Sequence, residues 1–140
     1  MAGIKNEVSN NLFFIDEQST TVCYPVGHNI TLYNIEEKTQ RYIPGIEGSE
    51  AITALALTKS KRYLAVAERT ERTPVCCIYD LHHPALKRKK VIASTEIKKE
   101  NKEFISINFS AKNEKYLITL TNSPSQNVFI WQWDKAKLIS

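Results

Sequence analysis

The sequence predicts an all-β fold, built from about three four-stranded antiparallel blades of an incomplete β-propeller. Three observations carry this expectation. Residues 57 to 67 read Leu-Thr-Lys-Ser-Lys-Arg-Tyr-Leu-Ala-Val-Ala, and residues 109 to 120 repeat the design as Phe-Ser-Ala-Lys-Asn-Glu-Lys-Tyr-Leu-Ile-Thr-Leu. Each is the end of an apolar strand, a polar turn and a Tyr-Leu that opens the next strand. The stretches before them, Ile52 to Leu57 and Ile105 to Phe109, both alternate with period two, as a strand with unlike faces must. Tyr63 and Tyr116 lie 53 positions apart, and self-similarity on that scale is the mark of a propeller or solenoid.

The elements follow in order. Blade 1 spans about 8–46, with strands near Leu12 to Ile15, Val22 to Pro25, Ile30 to Asn34 and Gln40 to Ile43, before Pro44-Gly45 turns the chain out. Blade 2 spans about 50–95. After Ile52 to Leu57 and the strand opened by Tyr63 come Val75 to Asp80 and Lys89 to Ala93. Blade 3 spans about 103–140. It runs through Ile105 to Phe109, the strand opened by Tyr116 and Val128 to Asp134, and only Lys135 to Ser140 remain for its fourth strand. Further connections fall near Arg69 to Pro74, His82 to Pro84, Glu96 to Glu103 and Asn122 to Gln126. A helix over Lys87 to Phe104 is disfavoured because its apolar positions hold no 3.6-residue period.

Each third strand closes on an aromatic followed by a short polar residue: Tyr33-Asn34, Tyr79-Asp80 and Trp133-Asp134. Through these three pairs the blades resemble those of WD40 proteins, with Trp133-Asp134 the full pair and the others degenerate copies. The aromatic is expected to pack between sheets, and the Asp or Asn to accept hydrogen bonds at the strand end. These six residues are read as structural. No glycine-rich phosphate loop, Gly-x-Ser-x-Gly or His-Glu-x-x-His occurs, and only four glycines exist. The sequence therefore points to a protein without catalytic residues, cofactor or metal.

The strings Ile15 to Gln18, Tyr24 to Asn29, Leu32 to Ile35, Gln40 to Gly45, Arg62 to Ala65, Lys87 to Lys89 and Phe104 to Ser106 carry a closer match. Through them the chain resembles the N-terminal propeller of the axonemal WD-repeat family named cilia- and flagella-associated protein fifty-seven. The resemblance implies a non-catalytic scaffold of the ciliary or flagellar axoneme. Its implied partners are inner-arm dynein or regulatory-complex subunits, with tubulin a further candidate. Family members are far longer, with two propellers and a coiled-coil tail. This chain has no heptad segment, and three blades do not close a ring. The expectation is thus a short product or fragment, or a chain whose ring is closed by further blades or another chain.

Other signals rank lower. Lys87, Arg88, Lys89 and Lys90 form a basic stretch suited to an acidic partner or to a nuclear-localisation signal. The simpler reading is a solvated outer strand whose lysines discourage edge pairing. Lys98, Lys99 and Lys102 extend it, but Glu96, Glu100 and Glu103 interrupt it, which disfavours nucleic acid. A WD40 segment of a nuclear or RNA-processing complex is the rival scaffold, and an unusual small enzyme the second rival. Cys76-Cys77 with His82-His83 invites a metal, but the spacing is wrong for zinc, and adjacent strand residues point to opposite faces. His28 beside Gly27 reads as a turn residue. Three cysteines, one pair adjacent, make a poor disulfide framework, so reduced, mostly buried thiols are expected. The N-terminus lacks an apolar signal core, no apolar run approaches the roughly 20 residues a membrane helix needs, and the net charge is a mild +4. The chain reads as cytoplasmic, cytoskeletal or axonemal.

Overall fold

The structure, a computed structural model, describes residues 12–93, 97, 101–122 and 126–140. The first eleven residues, Glu96, Lys98, Lys99 and Glu100 of the connection near 96–103, and 123–125 of the connection after Asn122 lie outside the described residues. Three four-stranded antiparallel sheets account for the fold. Sheet 1 holds β1 (Phe13–Phe14), β2 (Thr21–Val26), β3 (Asn29–Asn34) and β4 (Thr39–Pro44). Sheet 2 holds β5 (Ser49–Leu57), β6 (Tyr63–Thr70), β7 (Val75–Asp80) and β8 (Arg88–Ile92). Sheet 3 holds β9 (Phe104–Phe109), β10 (Tyr116–Thr121), β11 (Val128–Gln132) and β12 (Lys137–Leu138). Within each sheet the spatial order is the chain order, so every connection is a hairpin. The first strand of blade 1 is shorter than expected, with only Phe13 and Phe14 pairing across to Cys23 and Val22. Beyond Phe14 the chain turns at Asp16, whose carboxylate takes the backbone N–H groups of Thr20 and Thr21 and the Thr20 hydroxyl.

Sheet 2 is packed on both faces, and the alternation of its strands feeds two separate cores. Ala65 and Ala67 of β6 and Cys76 and Ile78 of β7 join Phe104, Ile107, Leu117 and Trp131 of sheet 3. Their neighbours Leu64, Val66, Cys77 and Tyr79 join Cys23, Ile30, Leu32 and Ile43 of sheet 1. A strand with water on neither face carries apolar residues at successive positions, which explains the unbroken Val-Cys-Cys-Ile-Tyr run of β7. The adjacent cysteines accordingly point into different cores. The inner strands converge on one recess of about 340 Å³, to which Phe13, Leu55, Leu57 and Phe109 contribute. Blade-like sheets stacked face to face about shared inner strands are the propeller arrangement, here with the ring open.

Candidate interaction surface

Strand register decides which end-of-strand pairs are equivalent. Opposite the start of each second strand stand Asn34 (facing Thr21), Asp80 (facing Tyr63) and Gln132 (facing Tyr116). One position on, Val22, Leu64 and Leu117 face Tyr33, Tyr79 and Trp131. The third pair is therefore Trp131-Gln132. Trp133-Asp134 lies two residues further on, in a 3-10 turn over Trp133–Lys135 rather than at the end of the third strand. Cross-strand pairing, rather than a count along the chain, selects Trp131, which stands opposite Leu117 as Tyr79 stands opposite Leu64.

The register also explains what each residue does. Tyr79 and Trp131 are both buried, and each packs toward the preceding sheet. Trp131 donates its indole Nε1–H to the Thr119 hydroxyl at 3.0 Å, a bond wholly inside the core. Asn34 accepts the backbone N–H groups of Glu36 at 3.0 Å and Glu37 at 2.9 Å, which caps the turn to β4. Asp80 accepts the His82 N–H at 3.0 Å and faces the Arg62 guanidinium at 3.3 Å. Slight burial pushes the Asp80 carboxyl up, but the Arg62 and His82 hydrogen bonds outweigh it and hold the group below the usual carboxylate range. Tyr33 is half-buried on the face of sheet 1 turned away from sheet 2. Trp133 is buried, meets Tyr63 edge-on at 4.8 Å and donates its indole N–H to the Glu114 carbonyl. Asp134 stands 3.9 Å from Lys115.

The basic stretch lies on the outermost strand of sheet 2. Lys87, Arg88 and Lys89 are exposed and Lys90 is half-buried. Strand β8 lies against the Trp133–Lys135 turn of sheet 3, so this stretch adjoins Lys135, a neighbour that sequence distance conceals.

Other polar features belong to the scaffold. Among the described residues no group of three His, Cys, Asp or Glu side chains could hold a metal ion, and no helix is long and apolar enough to cross a membrane. The cysteines are buried and unbridged. Burial pushes the Cys23 thiol up to about 12 and that of Cys77 to about 11, so neither forms a nucleophilic thiolate near neutral pH. His82 and His83 are exposed in the turn between β7 and β8, where His83 Nδ1 accepts the Ala85 N–H at 3.0 Å. His28 is exposed between β2 and β3, beside Gly27 at φ +60°. A recess of about 480 Å³ lies between sheets 1 and 2 under the hairpins and mixes Asp16, Glu17 and Glu37 with Arg41, Lys61 and His82. Arg41 spans part of it to the Pro84 carbonyl.

No family model matches the chain. Cilia- and flagella-associated protein 57 of Mus musculus is 35% identical over 138 residues, which cover 99% of this chain and 11% of that protein. Cilia- and flagella-associated protein 57 C of Tetrahymena thermophila is 31% identical over 141 residues, covering 98% of this chain and 11% of that protein. The chain thus spans about a tenth of the length of these relatives. Among solved structures, the β-propeller domain of Cps50 (Swd1) from Myceliophteria thermophila superposes with a TM-score of 0.64 at 15% identity, covering 86% of this chain and 35% of that one. The chain is a run of WD40-type β-propeller blades that resembles cilia- and flagella-associated protein 57 along nearly its whole length.

Proposed function

We propose that this chain serves as a non-catalytic protein-interaction scaffold in the ciliary or flagellar axoneme, contributing to the assembly of dynein arms and their regulatory complex. The observation that carries the reading is the similarity to cilia- and flagella-associated relatives over almost every residue, with a mammal and a ciliate both represented. The packing supports it: the buried Thr119 and Asp80 and the half-buried Asn34 are engaged in holding strands and turns. Rigid sheets presenting variable loops are a platform for binding. Dynein-arm and regulatory-complex subunits are the proposed partners, with tubulin a further one, and Lys87 to Lys90 a proposed part of the contact. The blade limits of about 8–46, 50–95 and 103–140 are proposed as the repeat units, with further blades or another chain completing the ring.

The test is fractionation of ciliated cells carrying a tagged copy. Retention in axonemes after the membrane is removed by detergent, with release alongside dynein subunits at raised salt, is the expected result. A tag found only in cytosol or nucleus would defeat the axonemal reading and leave the WD40 fold standing.

A further inference from the structure

The hairpins joining first to second and third to fourth strands all emerge at one end of the stacked sheets. The hydrogen bonds from Ser60 to Glu114, which tie the β5–β6 hairpin to the β9–β10 hairpin, fix this for sheets 2 and 3. That end is electrically divided. On sheet 1 it carries Asp16, Glu17, Glu36 and Glu37 against the single Lys38. On sheets 2 and 3 it carries Lys59, Lys112, Lys115 and Lys135, continued at the rim by Lys87 and Arg88 of the outer strand. All six are exposed.

The carboxylates among them do not cancel this charge, because each is engaged locally. Asp80 is held by Arg62, and that guanidinium also lies over the Tyr63 ring at 5.1 Å. Glu114 takes the Ser60 N–H and hydroxyl, both at 2.8 Å. Asp134 stands near Lys115. Among the described residues, Lys59, Lys87, Arg88, Lys112 and Lys135 have no carboxylate within ion-pair distance. Within the strip is a recess of about 330 Å³ lined by Tyr63, Trp133, Lys112 and Lys115, together with the locally engaged Glu114 and Asp134.

We infer that this basic hairpin end of sheets 2 and 3 is a docking surface for an acidic, glutamate-rich protein segment. The inference deepens the scaffold reading and rests on it for its biological setting. Several lysines on separate hairpins present mobile point charges at varied spacing, which suits a flexible chain of carboxylates. Nucleic acid fits less well. Trp133 is 4% exposed and already engaged edge-on by Tyr63 and through its indole N–H, so no free aromatic face is offered to a base. The acidic hairpins of sheet 1 repel the same segment and so bound the site.

The probe is a fluorescein-labelled peptide of about ten residues, mostly glutamate, titrated by anisotropy against the chain at about 0.05 M and about 0.3 M salt. Binding that weakens steeply with salt is expected. K112E/K135E should weaken it at least about tenfold, and K112Q/K135Q should fall between that variant and the parent. R69E/R72E makes the same change in net charge at the opposite end of the sheets and should leave affinity within about threefold. Circular dichroism of each variant establishes that it is folded. Equal losses in K112E/K135E and R69E/R72E would reduce the effect to net charge and overturn the site. Absence of peptide binding, or tighter binding of a single-stranded oligonucleotide of equal charge, would overturn it too. None of these outcomes bears on axonemal retention, so failure here and failure of the scaffold reading are separately visible.

Discussion

Glu68 is a carboxylic acid inside a sheet core, 1% exposed near the end of β6. One of its oxygens accepts the Ile46 N–H at 3.2 Å, while the other has no hydrogen-bond partner among the described residues. The chain leaving sheet 1 is pressed against it at Gly45, where a Cβ would stand 2.6 Å from the His28 carbonyl oxygen and 2.8 Å from the carboxylate. Burial pushes the Glu68 carboxyl up, and the nearby Ser49 hydroxyl and the Ile46 N–H only partly offset it. A carboxyl whose folded value is raised favours the native state below its ordinary range and loses that contribution as pH rises through the folded value. Glu68→Gln should therefore raise the urea midpoint at neutral pH, and its advantage over the parent should shrink toward pH 4. A parent more stable than the variant at both pH values would show that the charge itself holds the Gly45 connection in place. Nothing in the strand pattern around Glu68 marked it as buried, because Arg-Thr-Glu-Arg follows immediately and reads as a solvated turn.

At the scale of the element, β6 and β7 show how one strand serves two cores. The face of sheet 2 toward sheet 3 is lined by Ala54, Ala56, Ala65 and Ala67, and opposite them stand Trp131, Phe104 and Trp133. Small residues on one sheet leave the space that large ones on the next sheet fill, as close packing demands. By register, the position of Ala65 in sheet 2 is that of Ile118 in sheet 3, which is 40% exposed on the outward face. Ala65→Leu inserts volume where no relaxation is open and should cost about 1–3 kcal/mol, read from chemical unfolding. Ile118→Leu, on the outward face, should change stability by less than about 0.5 kcal/mol. If both behave alike, the Ala column is not a packing surface. Strands and their alternation were legible in the repeated Tyr-Leu strings. The identity of the third aromatic pair was not, because two tryptophans stand two residues apart and share a face, so only cross-strand register separates them.

For the molecule as a whole, the unequal end faces set the solution behaviour. The face of sheet 1 turned away from sheet 2 shows Phe14, Val26 and Tyr42, each 39–56% exposed. The outward face of sheet 3 shows Ile118 and Val128, the latter 59% exposed. Apolar sheet faces with open edges seek partners. Light scattering of the 140-residue chain should give a mass that climbs with concentration above the 16.0 kDa monomer. Ile118→Lys should lower it. A constant monomer mass would mean that these faces are not association surfaces.

Period-two alternation, the repeat at 53 positions and the hairpin turns by themselves determined that this chain forms four-stranded sheets in series, because those signals act between residues close along the chain. Strand limits followed to within a few residues, the first strand losing one residue at each end before the carboxylate-capped turn at Asp16. Three matters depended on tertiary structure. Register selected Trp131 over Trp133, stacking assigned Cys76 and Cys77 to opposite cores, and the shared hairpin end brought Lys59, Lys87, Lys112 and Lys135 onto one surface. Each is a relation between residues far apart in sequence, and such relations come into being only when separate sheets meet.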